Sequence, residues 1–397
     1  MQSDVLVIGA GIVGLATGYQ LVQQYPHLRV IVVEKEAQVC QHQSGHNSGV
    51  LHSGIYYRPG SVKALTCRQG KRLMEAFCER EGIPFEICGK VIVATSEQDV
   101  PTLQMLYERG KANQVQCERI DSRRLRELEP HASGIEALYV PETGIVDFSR
   151  VCERLAHYLM QAGGTILTGA KVVGIRESAD EVAVQTTQGD FTARYVLNCA
   201  GLYSDDIVRL SGQTPPARIV PLRGEYYLLR PEARRLCRNL IYPVPDPRFP
   251  FLGVHFTRTV YGEVECGPNA VLAFAREGYH RLRIHARELW ETLCYPGFRR
   301  LVRKYWRVGL GEMWRSFSRH AFARALQRLV PEVRAEHLLP APAGVRAQAV
   351  APDGSLLDDF VWIDTPRMVH VVNAPSPAAT ASLAIGRHIV ERLAERF

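Results

Sequence analysis

The sequence predicts a mixed α/β (α+β) fold: a parallel-stranded domain assembled from discontinuous segments, plus a second domain built on an antiparallel sheet. Three observations carry this. A strand, a glycine turn, a helix and a second strand follow one another from Val5 to Val33. A strand ending in a small-residue turn recurs at Tyr195 to Gly201, and another strand, from Val369, leads through a polar turn into a long apolar helix. Strands that feed helices in this way build parallel sheets, and the stretches between the pieces are left to form a second layer.

The first unit is Val5-Leu6-Val7-Ile8, then Gly9-Ala10-Gly11-Ile12-Val13-Gly14 opening a helix that reaches Gln24, then Val30 to Val33 and Glu34. This is a dinucleotide-binding fingerprint with an acid 20 residues after the last glycine. Gly9 suits a tight turn, Gly11 a close approach to a pyrophosphate, and Gly14 close packing of the helix. The amides at Ile12 and Val13 carry the partial positive charge of a helix N-terminus, which suits phosphates. Glu34, with Lys35 beside it, is the candidate partner of an adenosine ribose.

The fingerprint alone does not separate NAD from FAD; the segments that follow do. An NAD-type fold would run into another crossover helix. Here the chain instead enters Cys40 to Gly54, rich in small, polar and imidazole side chains, including Ser44, His46, Asn47, Ser48, Gly49 and His52. A second piece combines strands at Val172 to Ile175 and Val182 to Thr186 with the turn at Ala200 and Gly201. A third runs from Gly344 through Arg346 to Gln348, then from Val369 to Asn373 and on through Ser376, Pro377, Ala378, Ala379 and Thr380. Three separated pieces imply a discontinuous, Rossmann-like cofactor domain, an arrangement that resembles that of the FAD-dependent oxidoreductases of the D-amino-acid oxidase type. Its segments are 1–84, 146–214 and 341–397, with 85–145 and 215–340 forming the substrate domain. Strands are expected there at 90–95, 224–229, 254–257 and 271–273, with a helix over 100–112 and the helices on one side of the sheet.

The composition agrees. A chain of 397 residues with 46% hydrophobic and 22% charged side chains is long enough for two or three domains, and it resembles neither a disordered nor a collagen-like protein. Glycines and Gln20 interrupt the uncharged run from Val5 to Val22, and a basic leader region is absent from it, so neither a membrane span nor a signal peptide is expected. The 10 cysteines have no CxxC or Cys/His ligand spacing, so reduced cytosolic thiols are expected and no metal site is.

Longer motifs narrow the reading. His42 to Tyr57, Phe249 to Arg258 with Gly267 to Val271, and Asn373 to Thr380 closely resemble the L-2-hydroxyglutarate dehydrogenases, across nearly the whole chain. The resemblance implies FAD, a small dicarboxylate hydroxy acid as substrate, 2-oxoglutarate as product, and an electron acceptor other than NAD. It also implies association with an anionic membrane surface and its quinone pool, so the expected location is the cytoplasmic side, soluble or peripheral to the inner membrane. One departure is visible: Pro375 and Pro377 stand in a turn that is glycine-rich in the wider superfamily, which removes amide donors. No cysteine follows Cys294, which excludes a thioether to flavin near that turn, and non-covalent FAD is expected.

Oxidising a hydroxy acid requires a base for the hydroxyl proton and cations for two carboxylates. His255 is the first candidate base and His52 the rival. Arg258 and Arg346 are the candidate carboxylate clamps, with Tyr56, Tyr57 and Lys63 behind them. Period-two alternation from Phe251 to Arg258 sets His255 and Arg258 on opposite faces, unless a bulge re-aims one. An amino-acid or amine oxidase on the same scaffold, and an RNA-associated flavoprotein, are the competing readings. The basic residues contain no recognisable nucleic-acid motif, so no nucleic-acid partner is expected.

The net charge of +7 has a location. Nine of the 48 basic residues and one of the 41 acidic ones fall in 298–330, leaving 39 against 40 elsewhere. Within that basic helical segment Arg300, Arg303, Lys304 and Arg307 share one helix face, with Leu301, Val302, Tyr305 and Trp306 opposite. A basic amphipathic helix bearing tryptophan suits an anionic membrane surface, and the competing reading packs its apolar side on the domain core.

Overall fold

The computed structural model describes residues 1–246 and 252–397, so Phe249, Pro250 and Phe251 of the second motif lie outside the described residues. Two 8-stranded sheets organise the molecule. In the first, Gln2–Ile8 pairs in parallel with Val30–Val33 on one side and Gly189–Asn198 on the other, and Met368–Asn373 lies alongside Gly189–Asn198. Val5, Leu6 and Val7 are fully buried, as a central strand covered on both faces must be. The helices Ile12–Gln24, Phe148–Gln161 and Ala378–Ala394 share one core with these strands, so the N-terminus, the middle and the C-terminus of the chain meet in one layer.

The second sheet runs Leu338–Pro340, Tyr227–Leu229, Val264–Gly267, His255–Arg258, Leu240–Pro243, Lys90–Ala94, Glu136–Val140, Glu118–Asp121. It is antiparallel except where Leu240–Pro243 pairs in parallel with Lys90–Ala94. Its two faces pack differently from the sequence expectation. Phe256, Ile241 and Val91 meet the Arg319–Leu326 and Ser122–Leu128 helices on one face. Tyr242, Ile92 and Leu138 meet Leu103 and Leu106 of the Val100–Ala112 helix on the other. Helices therefore cover both faces, because both carry apolar side chains that must leave water.

Two more differences concern strands. The expected 224–229 strand is two strands, Arg218–Gly224 and Tyr227–Leu229, which belong to different sheets. Gly344–Val350 pairs with Arg218–Gly224 over its whole length, in a 3-stranded sheet completed by Val271–Leu272, rather than with the parallel strands. That small sheet carries Arg346 to the boundary between the two large ones.

The Pro296–Phe317 helix departs most. Its two apolar arcs separate: Phe298 and Leu301 pack against Val220, Leu222 and Val350, whereas Val302, Trp306, Leu310, Trp314 and Phe317 face solvent. Trp314 is 63% exposed and Phe317 68%, and Trp290 of the neighbouring Ala286–Cys294 helix adds another exposed ring. Val302 and Trp306 thus stand outside beside Arg303 and Arg307, not inside opposite them.

Candidate active site

The site begins at the first glycine turn. Gly9 has φ of +102°, and a side chain there would bring Cβ to 2.6 Å from the Cys199 carbonyl oxygen. At Gly14 a Cβ would fall 1.9 Å from the Gly9 oxygen, so the helix start can lie against the turn only without one. The Ser44 hydroxyl accepts the Ile12 amide at 2.8 Å and binds the 40–54 loop to the helix N-terminus. Glu34 is 7% exposed, and its carboxylate accepts the amides of Ala10 at 2.8 Å and Glu36 at 2.9 Å, which fixes it at the end of its strand.

A strap at 277–279 crosses this end. Glu277 ion-pairs with Lys35 at 2.5 Å and accepts the Tyr203 hydroxyl at 2.7 Å. Burial pushes the Glu277 carboxyl up, but the Lys35 ammonium and the Tyr203 hydroxyl outweigh it and hold the group down to about 2. Tyr279 stacks on His42 and lies tilted against His46. Glu36, His42 and Glu277 also bring three ligand-type side chains together, with Lys35 already ion-paired to both carboxylates.

At the other end Thr380, on the last helix, clamps the 50–52 segment. Its hydroxyl donates to the Val50 carbonyl at 3.2 Å and accepts the His52 amide at 3.1 Å. His52 Nε2 lies 3.4 Å from the Ser376 hydroxyl, so this histidine rests on the third turn. Across the cavity His255 is buried, and its Nδ1 lies 3.0 Å from the Gly253 carbonyl oxygen. A carbonyl only accepts, so Nδ1 carries the proton and Nε2 keeps its lone pair. Burial drives both imidazoles down to about 3, with Lys90 lowering both; His255 also feels Arg346, and its hydrogen bond to Gly253 pulls the other way.

One continuous cleft of about 1640 Å³ joins the two ends. Its lining includes Glu34, Ser44, His52, His255, Arg346 and Ala379. The volume exceeds the roughly 300–1,000 Å³ of a site for one small ligand and suits a dinucleotide with a substrate beside it.

The comparisons with known proteins agree with this geometry. The family described as FAD dependent oxidoreductase matches residues 4–392. The L-2-hydroxyglutarate dehydrogenase of Indibacter alkaliphilus is 48% identical over 100% of both chains. That of Escherichia coli K12 is 44% identical over 98% of this chain and 93% of its own. The chain belongs to the L-2-hydroxyglutarate dehydrogenase family of FAD-dependent oxidoreductases. Among solved structures, an L-alpha-glycerophosphate oxidase from Mycoplasma pneumoniae with FAD bound superposes with a TM-score of 0.82, at 23% identity, over 99% of this chain and 95% of that one, a likeness of fold.

The residues fit the FAD of this family. The side-chain-free turn at Gly9, Gly11 and Gly14, the amides of the Ile12–Gln24 helix and the fixed Glu34 carboxylate are what a pyrophosphate and a ribose need. Gly9, Gly11, Ile12, Val13, Lys35, Ser44, His46, Asn47, Ser48, Val172, Ala200, Gly201, Ser376, Pro377, Ala378, Ala379 and Thr380 all line the cleft. Gly14, Gly49 and Asn373 do not. Gly14 packs on Gly9, and the Gly49 amide donates to Asn47 at 2.9 Å. The Asn373 amide group donates to the carbonyls of Leu357 and Asp359, so this residue secures the chain rather than a ligand.

Among the substrate candidates, Arg346, Tyr56, Tyr57 and Lys63 reach the cleft. Lys63 is tied to Asp358 at 2.9 Å and sits over the Tyr57 ring. Arg258 is a correction. It ion-pairs with Glu86 at 2.6 Å and does not line the cleft, because regular alternation along His255–Arg258, with no bulge, turns it to the face opposite His255. Sequence reading passed over Tyr242, whose ring lies on His255, and Arg109, which donates to the Tyr56 carbonyl at 2.7 Å. The strand and helix signals around them were visible, but not which elements would be neighbours.

Proposed function

We propose that this protein oxidises L-2-hydroxyglutarate to 2-oxoglutarate, with His255 as the base that takes the C2 hydroxyl proton. The observation that carries the reading is the His255 tautomer: Nδ1 is committed to the Gly253 carbonyl, which leaves Nε2 as the acceptor of a side chain that lines the cleft. Bound FAD supplies a ring that accepts a hydride. Arg346, at the edge of the cleft beside His255, is the clamp for a substrate carboxylate, its planar fork suited to two parallel hydrogen bonds. Tyr56 and Tyr57 line the same cleft. His52, resting on Ser376, positions the turn through which the last helix presents its N-terminus.

The exposed apolar stripe of the Pro296–Phe317 helix supports docking on an anionic membrane at the cytoplasmic side, with a quinone as electron acceptor. Trp306, Leu310, Trp314 and Phe317 offer the buried face of such a contact, and Arg299, Arg300, Arg303, Lys304 and Arg307 the charge for the headgroups. The same stripe argues against an RNA-binding role, which calls for a polar basic face. No helix of the described residues is long and apolar enough to cross a membrane.

The assignment of the base is tested by substitution. His255→Ala is expected to retain FAD while losing flavin reduction by L-2-hydroxyglutarate. Normal reduction in that variant, with loss in His52→Ala, would reverse the two roles.

A further inference from the structure

Lys90 opens the Lys90–Ala94 strand in the middle of the substrate sheet. It is 1% exposed, and its Nζ has no hydrogen-bond partner among the described residues. A buried ammonium without an acceptor is costly, and such groups are tolerated where something compensates them. Two aromatic rings do so in part: Nζ lies 4.5 Å from the centroid of Tyr56 and 5.0 Å from that of Tyr242. The Tyr56 hydroxyl is likewise buried without a partner among the described residues.

The placement follows from strand pairing. Tyr242 sits opposite Ile92 in the parallel pair, which puts Lys90, Ile92 and Tyr242 on one face of the sheet. Tyr242 in turn lies on His255, 3.9 Å between centroids. Lys90, Tyr242 and His255 thus form a line, and Tyr56 closes it from the loop above. Tyr56, Tyr242 and His255 line the cleft, whereas Lys90 stands behind them.

We propose that Lys90 is a positioning residue for substrate: a cation set behind Tyr56 and Tyr242 whose missing counter-charge is the dicarboxylate bound on the cleft side of those rings. This rests on the reading of the substrate as a 2-hydroxy dicarboxylate. The titratable groups around Lys90 are the Cys67 thiol from the Val62–Glu81 helix, the Tyr56 and Tyr242 hydroxyls, and the His52 and His255 imidazoles. No carboxylate is paired with it among the described residues. Burial pulls the ammonium down to about 7, with the Cys67 thiol opposing. Lys90 is therefore charged below that pH and neutral above it, and an entering dianion restores its proton.

Glutarate, a dicarboxylate without the reacting hydroxyl, is the probe. Its binding to the wild-type holoenzyme, measured by calorimetry in buffers of different ionisation enthalpy, is expected to take up a proton above about pH 7. Lys90→Arg, charged throughout, is expected to bind glutarate with no uptake. Steady-state kinetics provide a second reading: the wild-type KM for L-2-hydroxyglutarate rises with pH through neutrality. Lys90→Met raises KM about tenfold, the equivalent of one pK unit of coupling, and removes that rise, while Lys90→Arg keeps KM low. Glutarate binding without proton uptake, uptake that persists in Lys90→Arg, or a Lys90→Met holoenzyme with wild-type KM and pH profile would each overturn the proposal. The wild-type calorimetry stands even if a variant fails to fold. A wild-type enzyme that L-2-hydroxyglutarate does not reduce would instead tell against the substrate reading.

Discussion

The ring of Tyr242 lies on the imidazole of His255, with 3.9 Å between centroids and 29° between planes. The contact joins adjacent strands, and the Tyr242 hydroxyl comes within 3.5 Å of Thr257 further along the same face. Together with the Gly253 carbonyl it leaves His255 one orientation. A base held in this way needs no reorganisation before it accepts a proton. Removing the stacked ring should therefore cost rate more than flavin: Tyr242→Ala is expected to keep FAD and to slow flavin reduction by about ten- to a hundredfold. Stopped-flow absorbance on the holoenzyme checks this.

The depressed imidazoles set a pH dependence. His255 and His52 are driven to about 3 in the folded protein, and His370 to about 4, in each case first by burial. An unfolded histidine titrates near 6.5, so between about pH 3 and 6.5 the unfolded chain binds more protons. Their contribution to stability is present above about pH 6.5 and is lost as pH falls towards 3. The expected outcome is a Tm that falls with acidification below about pH 6.5, with a smaller slope in His370→Asn. For the same reason flavin reduction should show no acid limb near pH 6.5, because His255, the proposed base, is already neutral there. Thermal unfolding and reduction rates across that range check both.

Glu34 is the proposed determinant of cofactor retention. Its carboxylate holds the Ala10 amide inside the glycine turn, so replacing it removes the proposed ribose partner and also frees the turn. A charge-assisted hydrogen bond is worth about 1.5–3 kcal/mol. Glu34→Ala is accordingly expected to weaken FAD binding by about ten- to a hundredfold, measured by titrating apoprotein with FAD, while Glu34→Gln keeps part of the affinity.

The outer stripe of the Pro296–Phe317 helix is largely exposed, so substitution at Trp306 and Trp314 separates docking from catalysis. Trp306→Ser with Trp314→Ser is expected to abolish flotation with anionic liposomes and to leave flavin reduction unchanged. Added salt should weaken the wild-type interaction, because the flanking arginines act through a screened potential. A wild-type protein that fails to float at low salt contradicts the docking reading.

FAD is expected to be non-covalent. Acid precipitation should leave the yellow colour in the supernatant; colour retained by the pellet would indicate a covalent link.

What could be read from the sequence divides along physical lines. The first turn was legible because its glycines answer local constraints, the approach of Gly14 to Gly9 above all. His255 and Arg258 were legible as opposite-facing because strand alternation is local. Lys90 and Tyr242 were not, since they meet only through a parallel pairing between strands about 150 residues apart in sequence. Nor could periodicity decide which apolar arc of the Pro296–Phe317 helix faces the body, because Leu301 and Val302 are equally apolar. The position of Val220, Leu222 and Val350 decides it.

The most direct test of the central claim is anaerobic mixing of the purified holoenzyme with each enantiomer of 2-hydroxyglutarate while the flavin absorbance is followed. Bleaching by the L form, with none by the D form or by amino acids, is the result predicted. An oxidised spectrum that persists with the L form, or equal bleaching by amino acids, would contradict it.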